Sequence, residues 1–154
     1  MKTLSDHINE ALKIGKDISS FSTHSCQPKT KEELIKIIKD RISKEGPNCD
    51  LNDIDTSLIT YMPFLFCGAN FNGDISRWNV SNVENMSYMF GHSNFNGDIS
   101  KWDVSNVEDM RYMFLNSKFN RDISTWNVSN VKYMMTMFNK SPLEKNPPKW
   151  YKKK

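Results

Sequence analysis

The stretch FNGDISRWNVSNV, which runs from Phe71 to Val83, returns as FNGDISKWDVSNV from residue 95 and as FNRDISTWNVSNV from residue 119. The copies start 24 residues apart, because 95 − 71 = 24 and 119 − 95 = 24. A period of about 20 to 50 residues is typical of proteins whose units bury their apolar faces against one another. The spacing therefore predicts a solenoid of stacked units.

The same register extends beyond the three obvious copies, because apolar residues recur at multiples of 24. Four columns carry most of the predicted core: Leu51, Ile75, Ile99 and Ile123; Ile54, Trp78, Trp102, Trp126 and Trp150; Ile59, Val83, Val107 and Val131; and Phe66, Phe90, Phe114 and Phe138. They define unit 1 (47–70), unit 2 (71–94), unit 3 (95–118) and unit 4 (119–142), with a partial fifth. We expect a helical segment and cap over 1–46, a repeat domain over 47–151 and a basic tail over 152–154.

The apolar pattern changes within each unit. Residues 77–81 alternate between polar and apolar side chains, which favours a short strand. The positions of Val83, Met86, Met89 and Phe90 fit one face of a helix, and Ser81 with Glu84 fits a capping box at its start. The predicted fold class is therefore α/β: a leucine-rich-repeat-like solenoid of strand–helix units with a parallel sheet, preceded by N-terminal capping helices.

Two helices are predicted before the repeats. Leu4, Ile8 and Leu12 indicate a first amphipathic helix. The second has a capping box at Thr30 and Glu33, an apolar face and an end at Gly46. Because a stack needs its terminal apolar edge covered, we expect the second helix to cap the first unit.

Composition and charge narrow the function classes. The chain has 154 residues and a net charge of +3, distributed as +2 over 1–46, −3 over 47–146 and +4 over 147–154. The mildly acidic repeat region does not fit a phosphate-binding surface along the stack.

Cys26, Cys49 and Cys67 have no metal-ligand spacing and are predicted to be reduced. No apolar run approaches the ~20 residues that span a bilayer, and the N-terminus lacks an export signal, so we expect a cytoplasmic protein with no membrane contact.

The words NGDIS-x-W-[ND]-VSNV-x-x-M-x-x-MF resemble the BspA-like leucine-rich-repeat family of bacterial surface proteins. The resemblance covers roughly residues 47–151. It implies a repeat fold and a role in binding, since members of that family are mostly secreted or surface-anchored interaction proteins.

No pattern in the sequence indicates catalysis. Asp74, Asp98 and Asp122 recur at one position, which suggests either a calcium ladder or a row of Asx turns in which each carboxylate accepts a bond from a nearby serine. We favour the Asx turns and predict no metal, no cofactor and no enzymatic activity. Most methionines fit core columns, with Met135 the expected exposed exception.

The predicted binding residues are those that vary between units. In the predicted fold they form two rows on the concave strand face and an aromatic column on the helical side. The first row is Asp53, Arg77, Lys101, Thr125 and Lys149; the second is Asp55, Asn79, Asp103 and Asn127; the aromatic column is Phe64, Tyr88 and Tyr112, with Tyr133 one register away.

We expect a non-enzymatic module, a monomer or weak oligomer, that binds a protein partner through the concave face. Three alternatives stay open: a mobile-element or phage inhibitor of a bacterial defence enzyme, a secreted surface adhesin, and a nucleic-acid-associated protein that uses its basic ends. Nucleic acid is the weaker expectation, because net positive charge is confined to the two ends of the chain.

Overall fold

The computed structural model describes residues 24–152. Within this range the regular elements are one α-helix, α1 (Lys31–Glu45), and one 3₁₀ helix (Pro142–Glu144). The other described residues form turns and irregular segments, joined by isolated parallel β-bridges, most of them between successive units. The predicted first helix lies outside the described residues.

The sequence signals at both ends of α1 are confirmed. The Thr30 hydroxyl accepts from the Glu33 N–H at 3.2 Å, and the Glu33 carboxylate accepts from the Lys29 N–H at 2.7 Å. The helix ends at Gly46, whose φ of 89° favours glycine. Buried Leu34 and Ile38 belong to the same apolar core as unit 1, so α1 covers the N-terminal end of the repeats as expected.

Residues 24 positions apart lie next to one another in successive units. Backbone N–H groups of one unit donate to carbonyl groups of the next at alternate residues. Between units 2 and 3, for example, the Met86, Tyr88 and Phe90 N–H groups donate at 2.9, 3.0 and 2.9 Å. The same pattern joins units 1 and 2 and units 3 and 4, so the repeats stack in register.

The core of the stack is aromatic. Phe66, Phe90, Phe114 and Phe138 form one column of nearly parallel rings, with centroids 5.6 to 5.8 Å apart. Every tryptophan of the repeat also donates its indole N–H to a carbonyl of the preceding unit; the acceptors of Trp78, Trp102, Trp126 and Trp150 are Leu51, Ile75, Ile99 and Ile123. These bonds satisfy the indole groups that burial would otherwise leave unpaired.

The predicted α/β leucine-rich-repeat-like solenoid is wrong, because the described residues contain neither a β-sheet nor a helix within the repeats. The predicted helix after Val83 is instead two successive β-turns, closed by Met89 N–H to Met86 O and by Ser93 N–H to Phe90 O. Tyr88 and His92, the third residues of these turns, have φ of 55° and 57°, which interrupts a right-handed helix.

The predicted strand is also replaced by turns. The backbone N–H of Trp78 donates to the Ile75 carbonyl at 3.1 Å, and the backbone N–H of Val83 donates to the Val80 carbonyl at 2.9 Å. These groups close local turns and so cannot extend a sheet ladder. Asn, Asp and Ser side chains stabilise such turns by bonding to the backbone two residues on, which explains why the repeat is rich in them.

Candidate functional site: an exposed aromatic column

Phe64, Tyr88 and Tyr112 form a stack of rings at the surface, confirming that these residues share a column. The ring centroids of Phe64 and Tyr88 are 4.8 Å apart at an interplanar angle of 9°, and those of Tyr88 and Tyr112 are 4.5 Å apart at 22°. Phe64 is 55% exposed, while the two tyrosines are half-buried. We call these three residues the aromatic column.

The backbone at the aromatic column is unusual for such residues. The φ angles of Phe64, Tyr88 and Tyr112 are 60°, 55° and 58°. The left-handed region costs a non-glycine residue roughly 1–2 kcal/mol, and Gly or Asn fits it best. The neighbouring left-handed column does contain such residues, among them Gly68 and Asn116. The turn geometry therefore explains the φ angle but not the choice of aromatic rings.

A groove of about 600 Å³ crosses the same units. Its lining residues are Ser57, Leu58, Thr60, Asn82, Glu84, Asn106, Glu108 and Asn130. Glu108 pairs with Lys132 at 2.8 Å. The asparagines hold the groove in place, since the side-chain amide of Asn106 donates to the Ser81 carbonyl at 2.7 Å and its counterparts repeat that bond.

Cations lie against two of the exposed tyrosines. The Lys31 ammonium is 5.5 Å from the ring centroid of Tyr61. Arg111 is 5.1 Å from the ring centroid of Tyr133 and is held in place by Asp109 at 2.6 Å. Both distances are within the range of cation–π attraction, so these rings have fixed, charged neighbours.

The first predicted row is only partly available for a partner. Arg77 and Lys101 are exposed and, with Ser76 and Asp98, line a small cavity of about 130 Å³. Asp53 instead forms an ion pair with Arg41, whose Nη1 lies 3.1 and 2.9 Å from the two carboxylate oxygens.

Burial tends to raise the pKa of Asp53, but the hydrogen bonds from Arg41 and Ser25 outweigh it, and the net pKa is lowered. The remaining members of the row are exposed: Thr125, whose hydroxyl donates to the Ser100 carbonyl at 3.3 Å, and Lys149.

The second predicted row is occupied by internal hydrogen bonds. Asn79 accepts from the Ser81 N–H and hydroxyl at 3.1 and 2.7 Å, Asp103 makes the same two bonds with Ser105, and Asn127 accepts from the Ser129 N–H. Asp55 accepts from the Gln27 side chain at 2.7 Å. These residues hold turns in place, and the part of the chain that the structure describes has no strand face to display them.

The recurring aspartates form the expected Asx turns. Asp74, Asp98 and Asp122 each accept from the N–H of the serine two residues on, at 2.9, 2.9 and 2.8 Å. These backbone hydrogen bonds are the main reason that the pKa of each carboxyl is lowered. No group of three or more metal-ligating side chains occurs in residues 24–152.

Some exposed apolar residues were not singled out from the sequence. Leu58 and Tyr61 are 48% and 54% exposed. The signal that could have found them is in the repeat, because the residues 24 positions on, Asn82 and Asn85, are polar. The expected exposure of Met135 is confirmed at 51%. The three cysteines form no disulfide.

The stacked 24-residue turns and their aromatic columns define the class: a turn-rich repeat protein. Residues 37–150 match the family model described as "Mycoplasma protein of unknown function, DUF285". The chain therefore belongs to this family, whereas the finer resemblance to BspA-like leucine-rich repeats is not confirmed. Neither a curated protein nor a solved structure matches the chain. Across residues 24–152, no helix has the length and apolarity needed to cross a membrane.

Proposed function

We propose that this protein is a non-enzymatic module that binds a protein partner through the aromatic column. The observation that carries the proposal is the surface stack of Phe64, Tyr88 and Tyr112 in a left-handed backbone conformation. Aromatic residues are enriched at the energetic centres of protein interfaces, because a rigid ring buries much area at little entropic cost.

Stability alone does not account for these rings. Stacking contributes about 0.5–1.5 kcal/mol for each of the two pairs, which is less than the left-handed backbone cost of roughly 1–2 kcal/mol for each of the three residues. Asparagine would avoid most of that cost, as it does at Asn116 in the neighbouring column. Folding therefore does not explain the rings, and they are available for a partner. The resemblance of the repeat words to BspA-like interaction proteins points in the same direction.

The experiment replaces both tyrosines by the residue that fits the turn. A photo-crosslinking residue at Phe64 first identifies the partner, and titration of the purified pair then measures affinity. Tyr88→Asn with Tyr112→Asn is expected to weaken binding about 100-fold while the unfolding midpoint changes little.

His92→Asn serves as the matched control, because His92 has the same backbone conformation outside the aromatic column. Arg77→Glu with Lys101→Glu tests the first predicted row. Full affinity in the double tyrosine variant, combined with loss in the charge variant, would refute the aromatic column as the docking surface.

A further inference from the structure

The hydrogen bonds that join the turn segments of successive units run in one direction, whereas those just before and after these segments run the other way. In the turn segments, alternate N–H groups of each unit donate to carbonyls of the following unit, as Met62 does to Asn85 and Met110 does to Tyr133, at 2.9 and 2.7 Å. The C-terminal edge of this ladder therefore presents N–H donors, and the N-terminal edge presents carbonyl acceptors. The peptide dipoles are aligned, as they are in a helix.

Charged side chains already bind at both edges. The Lys31 ammonium donates to the Pro63 carbonyl at 2.9 Å on the acceptor edge. On the donor edge the Glu144 carboxylate accepts from the Lys140 N–H at 2.9 Å and from the Asn139 side chain at 3.1 Å. At Lys140, therefore, the donor edge binds an acceptor oxygen that the chain itself supplies.

Part of the donor edge has no such acceptor. Met134 and Thr136 occupy the positions of Met110 and Tyr112, but their N–H groups form no hydrogen bond with any described residue. The Lys132 carbonyl is likewise unpaired within the described chain, although the equivalent Glu108 carbonyl accepts from unit 4. We call residues 132–136 the open edge.

The ladder is interrupted at Pro142. The equivalent Lys118 donates its N–H to the Ser93 carbonyl at 3.0 Å, and proline has no N–H to offer. The chain then forms the 3₁₀ helix Pro142–Glu144, and the rings of Trp150 and Tyr151 pack against Phe138. These contacts cover the aromatic core, but within residues 24–152 they leave the open edge without a backbone partner.

The side chains of the open edge are also unlike those of the inner units. Tyr133 and Met135 are 54% and 51% exposed. Unit 3 has Asp109 and Arg111 at these positions, which pair with each other at 2.6 Å. Exposed edges are usually protected by charge, so an aromatic ring and a methionine here favour contact with another chain.

The surroundings of the open edge are basic. Residues 132–152 contain five lysines and one acidic residue, Glu144, which gives 5 − 1 = +4. A partner segment with acidic side chains would therefore match the charge of this end of the stack.

We propose that the open edge binds an acidic segment of a partner protein by backbone pairing, and that the segment follows the turn as the inner units do. The segment runs parallel to residues 132–136, its alternate carbonyls accept from the Met134 and Thr136 N–H groups, and one of its N–H groups donates to the Lys132 carbonyl. The segment adds one more layer to the stack, in the register that the three inner interfaces display. This binding relies on backbone hydrogen bonds of the open edge, whereas the proposed function relies on the rings of the aromatic column. The two proposals can therefore be tested independently.

A second copy of the chain fits this edge poorly. Pairing two open edges about a two-fold axis places donor against donor. Head-to-tail stacking would require the acceptor edge of unit 1, where Lys31 already occupies the Pro63 carbonyl and α1 packs against the core. A separate acidic segment meets neither obstacle.

The probe is a labelled, end-capped peptide with the sequence of residues 106–117, NVEDMRYMFLNS, because its pairing with unit 2 is known. Fluorescence anisotropy with the full chain is expected to show saturable binding. In the protein, the Glu108 N–H donates to unit 2 and the Met110 N–H donates to unit 4. A peptide that binds the open edge in the same way directs its Glu108 N–H at the edge and its Met110 N–H away from it. N-methylation at Glu108 should therefore weaken binding about tenfold or more, and N-methylation at Met110 should not.

Two protein variants test the position of the site. Met135→Glu is expected to weaken binding of the peptide about tenfold, because the new carboxylate repels the acidic side chains of the peptide. Leu58→Glu, at a residue of similar exposure in unit 1, is the matched control and should leave affinity unchanged. Equal effects of the two variants would contradict the proposed location.

Amide hydrogen exchange gives the decisive measurement. In the free chain the Met134 and Thr136 amides should exchange far faster than those of Met110 and Tyr112, and the peptide should protect them. Protection already present in the free chain would overturn the proposal, because the chain itself or a second copy would then cover the edge. Stronger protection by single-stranded DNA than by the peptide would also overturn it, in favour of nucleic acid.

Discussion

The N-terminal and C-terminal ends of the stack are closed in different ways. At the N-terminal end, α1 contributes buried Leu34 and Ile38 to the core, and Lys31 bonds to a carbonyl of unit 1. At the C-terminal end, Trp150 and Tyr151 cover the last phenylalanine, while the outward-facing backbone groups of residues 132–136 have no partner among the described residues. Bulky apolar groups are enough to close a core, but only hydrogen-bonding groups can close a backbone edge.

The largest expected loss of stability is at the N-terminal end, which α1 covers. Leu34→Ala removes a fully buried side chain between α1 and unit 1, and we expect a loss of about 3 kcal/mol in the free energy of unfolding. Urea denaturation of the full chain provides the measurement. Lys39→Ala, at an exposed position of the same helix, should stay within about 0.5 kcal/mol of the unchanged chain. A small effect of Leu34→Ala would mean that α1 contributes little to this end.

Tryptophan substitutions compare the interior with the C-terminal end. Trp102→Phe leaves the Ile75 carbonyl without its donor in a buried site, so we expect a loss of about 2 kcal/mol. Trp150→Phe removes the same kind of bond to Ile123, but water can reach this half-buried site, and about 1 kcal/mol is expected. Urea unfolding of both variants tests the order, and a larger loss at Trp150 would show that the C-terminal end is closed more tightly than the contacts imply.

The smallest expected effect is on the pH dependence of stability. The pKa of Asp53 is lowered despite burial, because Arg41 and Ser25 bond to the carboxylate. A lowered folded pKa gives stability that is present above the unfolded value near 3.9 and is lost as pH falls through the folded pKa. Asp53→Asn should therefore cost about 1 kcal/mol at pH 7, after allowance for partial exposure, and progressively less towards pH 2.

Asp122→Asn is the matched change at the other end. The asparagine oxygen can accept the same Ser124 N–H, and solvent screens the charge of the exposed Asp122 carboxylate. Its lowered pKa therefore implies a smaller loss of stability at pH 7 than at Asp53, which also decreases towards pH 2. Thermal unfolding at pH 7 and pH 2 measures both variants. An acid response at Asp122 as large as that at Asp53 would contradict the role assigned to Arg41.

Contacts between units were more predictable from the sequence than local conformation. The 24-residue period correctly predicted the columns of Phe90 and Trp102, the stacked rings of Tyr88 and Tyr112, and the Asx turns. The limits of α1 also followed from local signals at Thr30 and Gly46. Each of these features depends on residue type and spacing alone.

Local conformation within a unit was not predictable in this way. Apolar residues at Val83, Met86 and Met89 satisfy a helix and a series of four-residue turns equally well. The choice depends on where the N–H groups find acceptors, and here they find them in the next unit. Similarly, Asp53 and Asp55 were predicted as binding residues, but Arg41 and Gln27, distant in sequence, already occupy them.

The sequence by itself determined that this protein is a repeat with a period of 24, which side chains form its core columns, and where the capping helix begins and ends. Only the tertiary structure decided that the repeats are turns, that the hydrogen bonds between their turn segments point one way, and that residues 132–136 form an open donor edge within residues 24–152. The reason is physical: burial and capping depend on side chains written in the sequence, whereas backbone hydrogen bonds between units depend on which carbonyl lies opposite each N–H group.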